Sequence, residues 1–331
     1  MLSRSSYCFF VKFLFSILVL CDTSQFLLSG TSADSIQNVF IFAPQVGQVF
    51  RYSIETQTDA MDKSPANDYS NEKTFEKRVI YYTKTVKNIE ENGDIIFGML
   101  IDSISGEDGS SGYFYRFSYN RNNCYLNSPV NIDTSDYLGY YVLIAEPFNL
   151  RVTKNGEVLE AFGLQKIQGN LISLYADTLN EAEKDEIKQS ISSSIMCEIF
   201  QDEYLYLPEI GIDENTTVWT RKARSEIAYW ETENNIKHFV KKRNATEILI
   251  ESELKAVIPK KEVVEDNGFK IKVADYLFEA SGETILDVPR HIIRQRKIKS
   301  STQIKMDMSN ENESGYYLQK KSYKIVVKLL N

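Results

Sequence analysis

Two histidines, two pairs of neighbouring carboxylates and a run of tyrosine and phenylalanine are the residues with which this chain could do chemistry. A histidine can act as a base or a metal ligand, but a zinc site draws on several His or Cys at short spacing. His238 and His291 sit in IKHFVKK and RHIIRQRK with no second ligand near, so each reads as a solvated or satisfied strand residue. Asp133 with Asp136, or Asp307 with Glu311, could hold calcium or serve a glycosidase as acid and base. Neither pair has the spacing of a calcium loop, and Asn, Asp and Ser are what turns require. The serines of GEDGSSG lie in a turn rather than in a nucleophile elbow, and no glycine-rich loop opens a helix. The expectation is a non-enzymatic protein without cofactor or metal.

The aromatic run remains. In GYFYRFSYN, Tyr113, Tyr115, Phe117 and Tyr119 recur every second residue and share one face of a strand. Burying a large apolar side chain is worth about 1.5–3 kcal/mol, so four left in water would forgo about 6–12 kcal/mol. That face is therefore covered, either by the protein's own helices or by a ligand, and these four are the ligand-binding candidates.

The elements that must position them follow from periodicity. With 20 Tyr and 18 Phe against 15 Gly and 7 Pro, the composition suits pleated sheet. Phe50, Tyr52 and Ile54 alternate with polar neighbours, Asp59 to Glu72 reads as a long loop, and Asn92-Gly93 joins two further strands. A second hairpin runs from Phe148, Leu150 and Val152 through Asn155-Gly156 to Val158. The period then changes. Leu164, Ile167 and Leu171 mark a helix to Tyr175, and Ile187, Ile191, Ile195 and Ile199 mark another over Glu181–Gln201. From Trp219 onward the period is two again. The fold class is thus mainly β (α+β): a large curved antiparallel sheet or half-barrel with two amphipathic helices inserted mid-chain. The divisions are a signal peptide (1–33), an N-terminal β portion (34–160), a helical pair (161–205) and a C-terminal β portion (206–331). Residues 34–331 form one domain or two pseudo-repeats.

Arg4 and Lys12 precede the apolar run Phe13 to Leu20, too short to span a bilayer and read as a secretory signal. Cleavage after Ala33 competes with lipoprotein processing at Cys21, which would tether the chain to a membrane. The protein is expected to be exported: periplasmic, associated with the outer membrane, or extracellular. There Cys124 and Cys197 either form a disulfide or stay as thiols. A formal net charge of −8 disfavours nucleic acid as a partner.

Pro147, Phe148, Asn155, Gly156, Pro208 and Trp219 carry a resemblance. The layout resembles an uncharacterised family of exported bacterial proteins, in which a Pro-Phe hairpin precedes helices and a segment running from proline to tryptophan. The resemblance implies location and a β-rich architecture, and by layout it looks like the half-barrels of periplasmic lipoprotein carriers. The functional expectation is a binding protein holding an apolar or lipid-like ligand on a concave aromatic face. The alternative is a structural or protein-interaction component of the envelope, with a filled core and an unknown protein partner.

Overall fold

The computed structural model describes residues 39–65, 68–110, 113–127, 141–144, 146–174, 180–227, 230–255, 263–266, 268–310 and 312–331. The signal segment, Cys21, Asp133, Asp136, Tyr175 and Glu311 lie outside these. Period-two segments form a first meander of β1 (Val49–Lys63), β2 (Glu72–Ile89), β3 (Ile95–Ser110), β4 (Tyr113–Asn120) and β5 (Asn123–Asn127). A hairpin follows, β6 (Phe148–Val152) and β7 (Val158–Phe162), then α1 (Gln165–Leu174), α2 (Glu181–Ser190) and α3 (Ser193–Gln201). The second meander comprises β8 (Val218–Ile227), β9 (Trp230–Arg243), β10 (Glu247–Lys255), β11 (Val263–Asp266), β12 (Phe269–Asp287), β13 (Ile292–Ser309) and β14 (Ser314–Leu329).

The fourteen strands of the described residues join one open sheet in the order β5-β4-β3-β2-β1-β14-β13-β12-β10-β9-β8, with β11 beside β12, β6 beside β3, and β7 beside β6. The two meanders are therefore wings, and their seam is the antiparallel pair β1–β14, in register from Tyr52↔Leu329 to Lys63↔Leu318. The hairpin and helices between β5 and β8 pack on the sheet and share one apolar cluster with both wings, including Ile54, Phe97, Phe200 and Leu286.

The turn chemistry holds locally. Gly93 and Gly156 adopt φ of +89° and +88°, the left-handed region that glycine tolerates. At Gly156 a Cβ would also lie 2.4 Å from the carbonyl oxygen of Leu205 and 2.6 Å from the Phe42 ring, so the turn is pressed against the segment after α3. Two polar stretches expected as connections are strand instead. Asp59 to Lys63 continue β1, where Asp59 faces Phe75 on one side and Ser322 on the other. GEDGS completes β3, where Arg116 and Arg78 pair with Glu107 and Asp108. A strand with both edges paired satisfies its backbone whatever its side chains, so polarity alone does not end it.

The second expected helix is divided. Ser192 is extended (φ −89°, ψ 165°) between α2 and α3, inside a run of serines that compete with helical hydrogen bonding. The break lets the Ser193 hydroxyl accept from the Ala161 amide of β7 at 2.8 Å. Ile191, Ile195, Met196 and Phe200 stay buried on one side, so the apolar stripe survives the interruption.

Candidate ligand-binding site

The aromatic strand β4 divides by residue. Phe117 and Tyr119 are 0% and 1% exposed within the packed cluster, their ring centroids 5.4 Å apart. The Arg78 guanidinium lies 4.9 Å from the centroid of the Phe117 ring and makes a two-pronged pair with Asp108. Gly106 on β3 makes room for the ring, since a Cβ there would come within 2.7 Å of it. Tyr113 and Tyr115 belong to β4 but their side chains fall outside the described residues, as does that of Cys124. Cys197 Sγ lies 4.0 Å from Ser193 Oγ.

Beneath the helices sits an ionic lock that the sequence reading did not single out. Period two places Lys84 on the inward face of β2 with Tyr82 and Val86, and its side chain is 1% exposed. Its ammonium pairs with Glu203, just after α3, and donates to Tyr204 Oη at 3.0 Å. Tyr82 donates to the other Glu203 oxygen. The rings of Tyr52, Phe97 and Tyr204 surround the ammonium at 4.3–4.9 Å, a geometry that favours a cation. Burial lowers the Lys84 pKa and the Glu203 charge opposes that shift. The lock fixes the segment Asp202–Tyr206 over the sheet.

That segment roofs a cavity of about 160 Å³ on the C-terminal wing. Its floor is a grid set by register. Ser252, Gly282 and Ile298 lie side by side on β10, β12 and β13, and Leu254, Ala280 and Ser300 form the next row. Serine, glycine and alanine at four of these six positions leave the space that larger side chains fill elsewhere on the same face. Phe278, Leu254 and Ile325 make apolar walls, and Val158 and Leu205 close the space from the insert. The roof is pinned in turn: Gln201 accepts from the Val158 amide at 2.8 Å and donates to the Gly156 carbonyl at 2.9 Å. Trp219 donates to the Tyr206 carbonyl at 3.1 Å.

Polar groups also border this space. Of the two expectations for His238, solvated or satisfied, solvation does not hold: the residue is 3% exposed, its Nδ1 lies 2.7 Å from Ser252 Oγ and its ring stacks on Trp219. Its Nε2, the Tyr323 hydroxyl and Arg296 Nη1 are buried without a hydrogen-bond partner among the described residues. Burial, aided by the charges of Arg296 and Arg221, lowers the His238 pKa to about 3, so the ring is neutral. Burial raises Asp202 to about 7 against the pull of Arg296, and lowers Arg296 itself to about 10. His291 differs: its Nδ1 lies 2.9 Å from the Ile41 carbonyl and its ring stacks on Phe40, a satisfied residue.

No protein-family model and no curated protein matches the chain. Among solved structures, one of lipid–protein interactions in lipovitellin is similar at a TM-score of 0.44 and 8% identity, over 87% of this chain and 25% of that one. The chain thus spans about a quarter of that protein's length. OccK2 of Pseudomonas aeruginosa matches at a TM-score of 0.21 and 6% identity, over 86% of this chain and 98% of that one. The transport unit of the autotransporter AIDA-I from Escherichia coli matches at 0.18 and 9%, over 100% of both chains. None of the three reaches a TM-score at which a common fold is established.

Proposed function

We propose that this chain is a non-enzymatic exported protein that holds an apolar or lipid-like ligand between its helical insert and its C-terminal wing. One observation carries the reading: four small residues in two adjacent rows, Ser252 with Gly282 and Ala280 with Ser300, keep open a mostly apolar cavity under a roof that is locked in place. Cores are normally filled to crystal-like density, so a void maintained by four small residues across three strands is a site rather than a packing fault. Export rests on the N-terminal run of residues 1–33, with Cys21 as the alternative tether. Native mass spectrometry of protein purified from its own source tests the reading, with a bound apolar mass expected. Ala280→Phe, which places a ring in the cavity, abolishes that mass while preserving the far-ultraviolet spectrum. A wild-type protein that carries no apolar mass and takes up no fluorescent acyl probe would refute the assignment.

A second reading, an interaction component of the envelope, is favoured by exposed apolar side chains on outer strands. Leu159 on β7, Val218 on β8 and Val263 on β11 are about half exposed, and strands with a free edge are the ones that accept a partner strand. Charged substitutions at all three positions abolish partner capture if this reading holds and leave it unchanged otherwise.

A further inference from the structure

The cavity is not uniformly apolar, and three of the residues that line it each carry a buried polar atom without a hydrogen-bond partner among the described residues. Arg296 Nη1 is a donor; the Tyr323 hydroxyl donates; His238 Nε2 donates when Nδ1 accepts the Ser252 hydroxyl proton. His238 and Tyr323 are 3% and 7% exposed, so bulk water does not satisfy them, and an unpaired buried polar atom is costly. They belong to separate strands, β9, β13 and β14, and all three residues line the same space. Resting on the binding function proposed above, we infer that the ligand is a single-chain carboxylic acid, its carboxylate received by Arg296 and its chain along Leu254, Phe278 and Ala280.

The chemistry selects this class. Donors need an acceptor, a guanidinium fork matches a carboxylate, and the pair gains strength away from water. Carboxylates also border the cavity, Glu157, Glu198 and Glu253 beside Asp202. Glu253 is exposed at the rim, and Asp202 is held protonated up to about pH 7, so below that pH it leaves the Arg296 charge to the ligand. Size agrees as well: an apolar void of about 150 Å³ holds benzene, so 160 Å³ takes a head group and a short stretch of chain. The remainder leaves past the rim.

Octanoate and its uncharged counterpart octanol are titrated calorimetrically into wild type, Arg296→Gln and Ala280→Phe near pH 6. Wild type is expected to prefer octanoate by about ten-fold or more; Arg296→Gln loses that preference and still binds octanol, and Ala280→Phe binds neither. The unliganded Arg296→Gln protein melts no lower than wild type, because the arginine's Nη1 is unpaired there, whereas a purely structural arginine would lower the melting temperature on removal. Equal binding of both probes by wild type would overturn the carboxylate inference and leave the apolar-ligand reading standing. If neither probe binds wild type, the cavity holds water only and both fall.

Discussion

At the scale of single residues, the decisive groups are buried charges. Removing one partner of a buried ion pair costs about 3–5 kcal/mol, because the other is left uncompensated. Lys84→Met is therefore expected to destabilise the fold by about that amount in urea titrations, and Lys84→Met with Glu203→Gln to recover most of the loss, the glutamine still accepting from Tyr82. Asp202 and His238 oppose one another with pH. Burial raises Asp202 from 3.8 to about 7, so between those values the folded protein holds a proton that the unfolded chain has released, and stability falls as pH rises. Burial lowers His238 from 6.5 to about 3, so the unfolded chain holds the extra proton there and stability rises with pH. The slopes cancel over most of the shared range. Asp202→Asn removes the falling one, and its stability relative to wild type should increase steadily from pH 4 to 7 in denaturation curves taken across that range.

At the scale of elements, the hairpin turn is tied to the roof of the cavity. Gly156→Ala imposes a side chain at positive φ and drives it into the Leu205 carbonyl. The expected result is a lower melting temperature, by several degrees for a loss of more than about 1 kcal/mol, with weakened probe binding because Leu205 lines the cavity. Hairpins such as this one were readable from the sequence because Asn-Gly acts within four residues. So were the apolar helix stripes, although the continuous spacing of Ile187, Ile191, Ile195 and Ile199 hid the break at Ser192, after which Ser193 bonds Ala161 more than thirty positions away. The cavity was not readable. Ser252, Ala280, Gly282 and Ser300 lie on three strands and become neighbours only through register, and β12 shifts its pairing at Val273/Asp275 and Ile285/Leu286, which breaks any simple alternation. Tyr113 to Tyr119 announced a covered face; that Phe117 is covered by Gly106 and Arg78 depends on pairing with β3 and β2.

At the scale of the molecule, the charges around the cavity come from every neighbouring part. Asp202 shares the lining of the cavity with Arg296 of β13, Arg221 of β8, His238 of β9, Glu253 of β10 and Tyr323 of β14, with Glu198 of α3, Tyr206 of the roof and Glu157 of the hairpin. Once Asp202 ionises above about pH 7, it competes for Arg296, and octanoate should bind more weakly at pH 8 than at pH 6 while octanol binding stays level. Calorimetry at the two values separates these outcomes. The seam between the wings has a consequence in time as well as in space. Tyr52 meets Leu329 and Lys63 meets Leu318, pairings that span most of the chain, and contacts of such long range close slowly. Until β14 has been made, β1 and β13 each present a long open edge, so the nascent chain is exposed to strand-mediated aggregation until that strand is added.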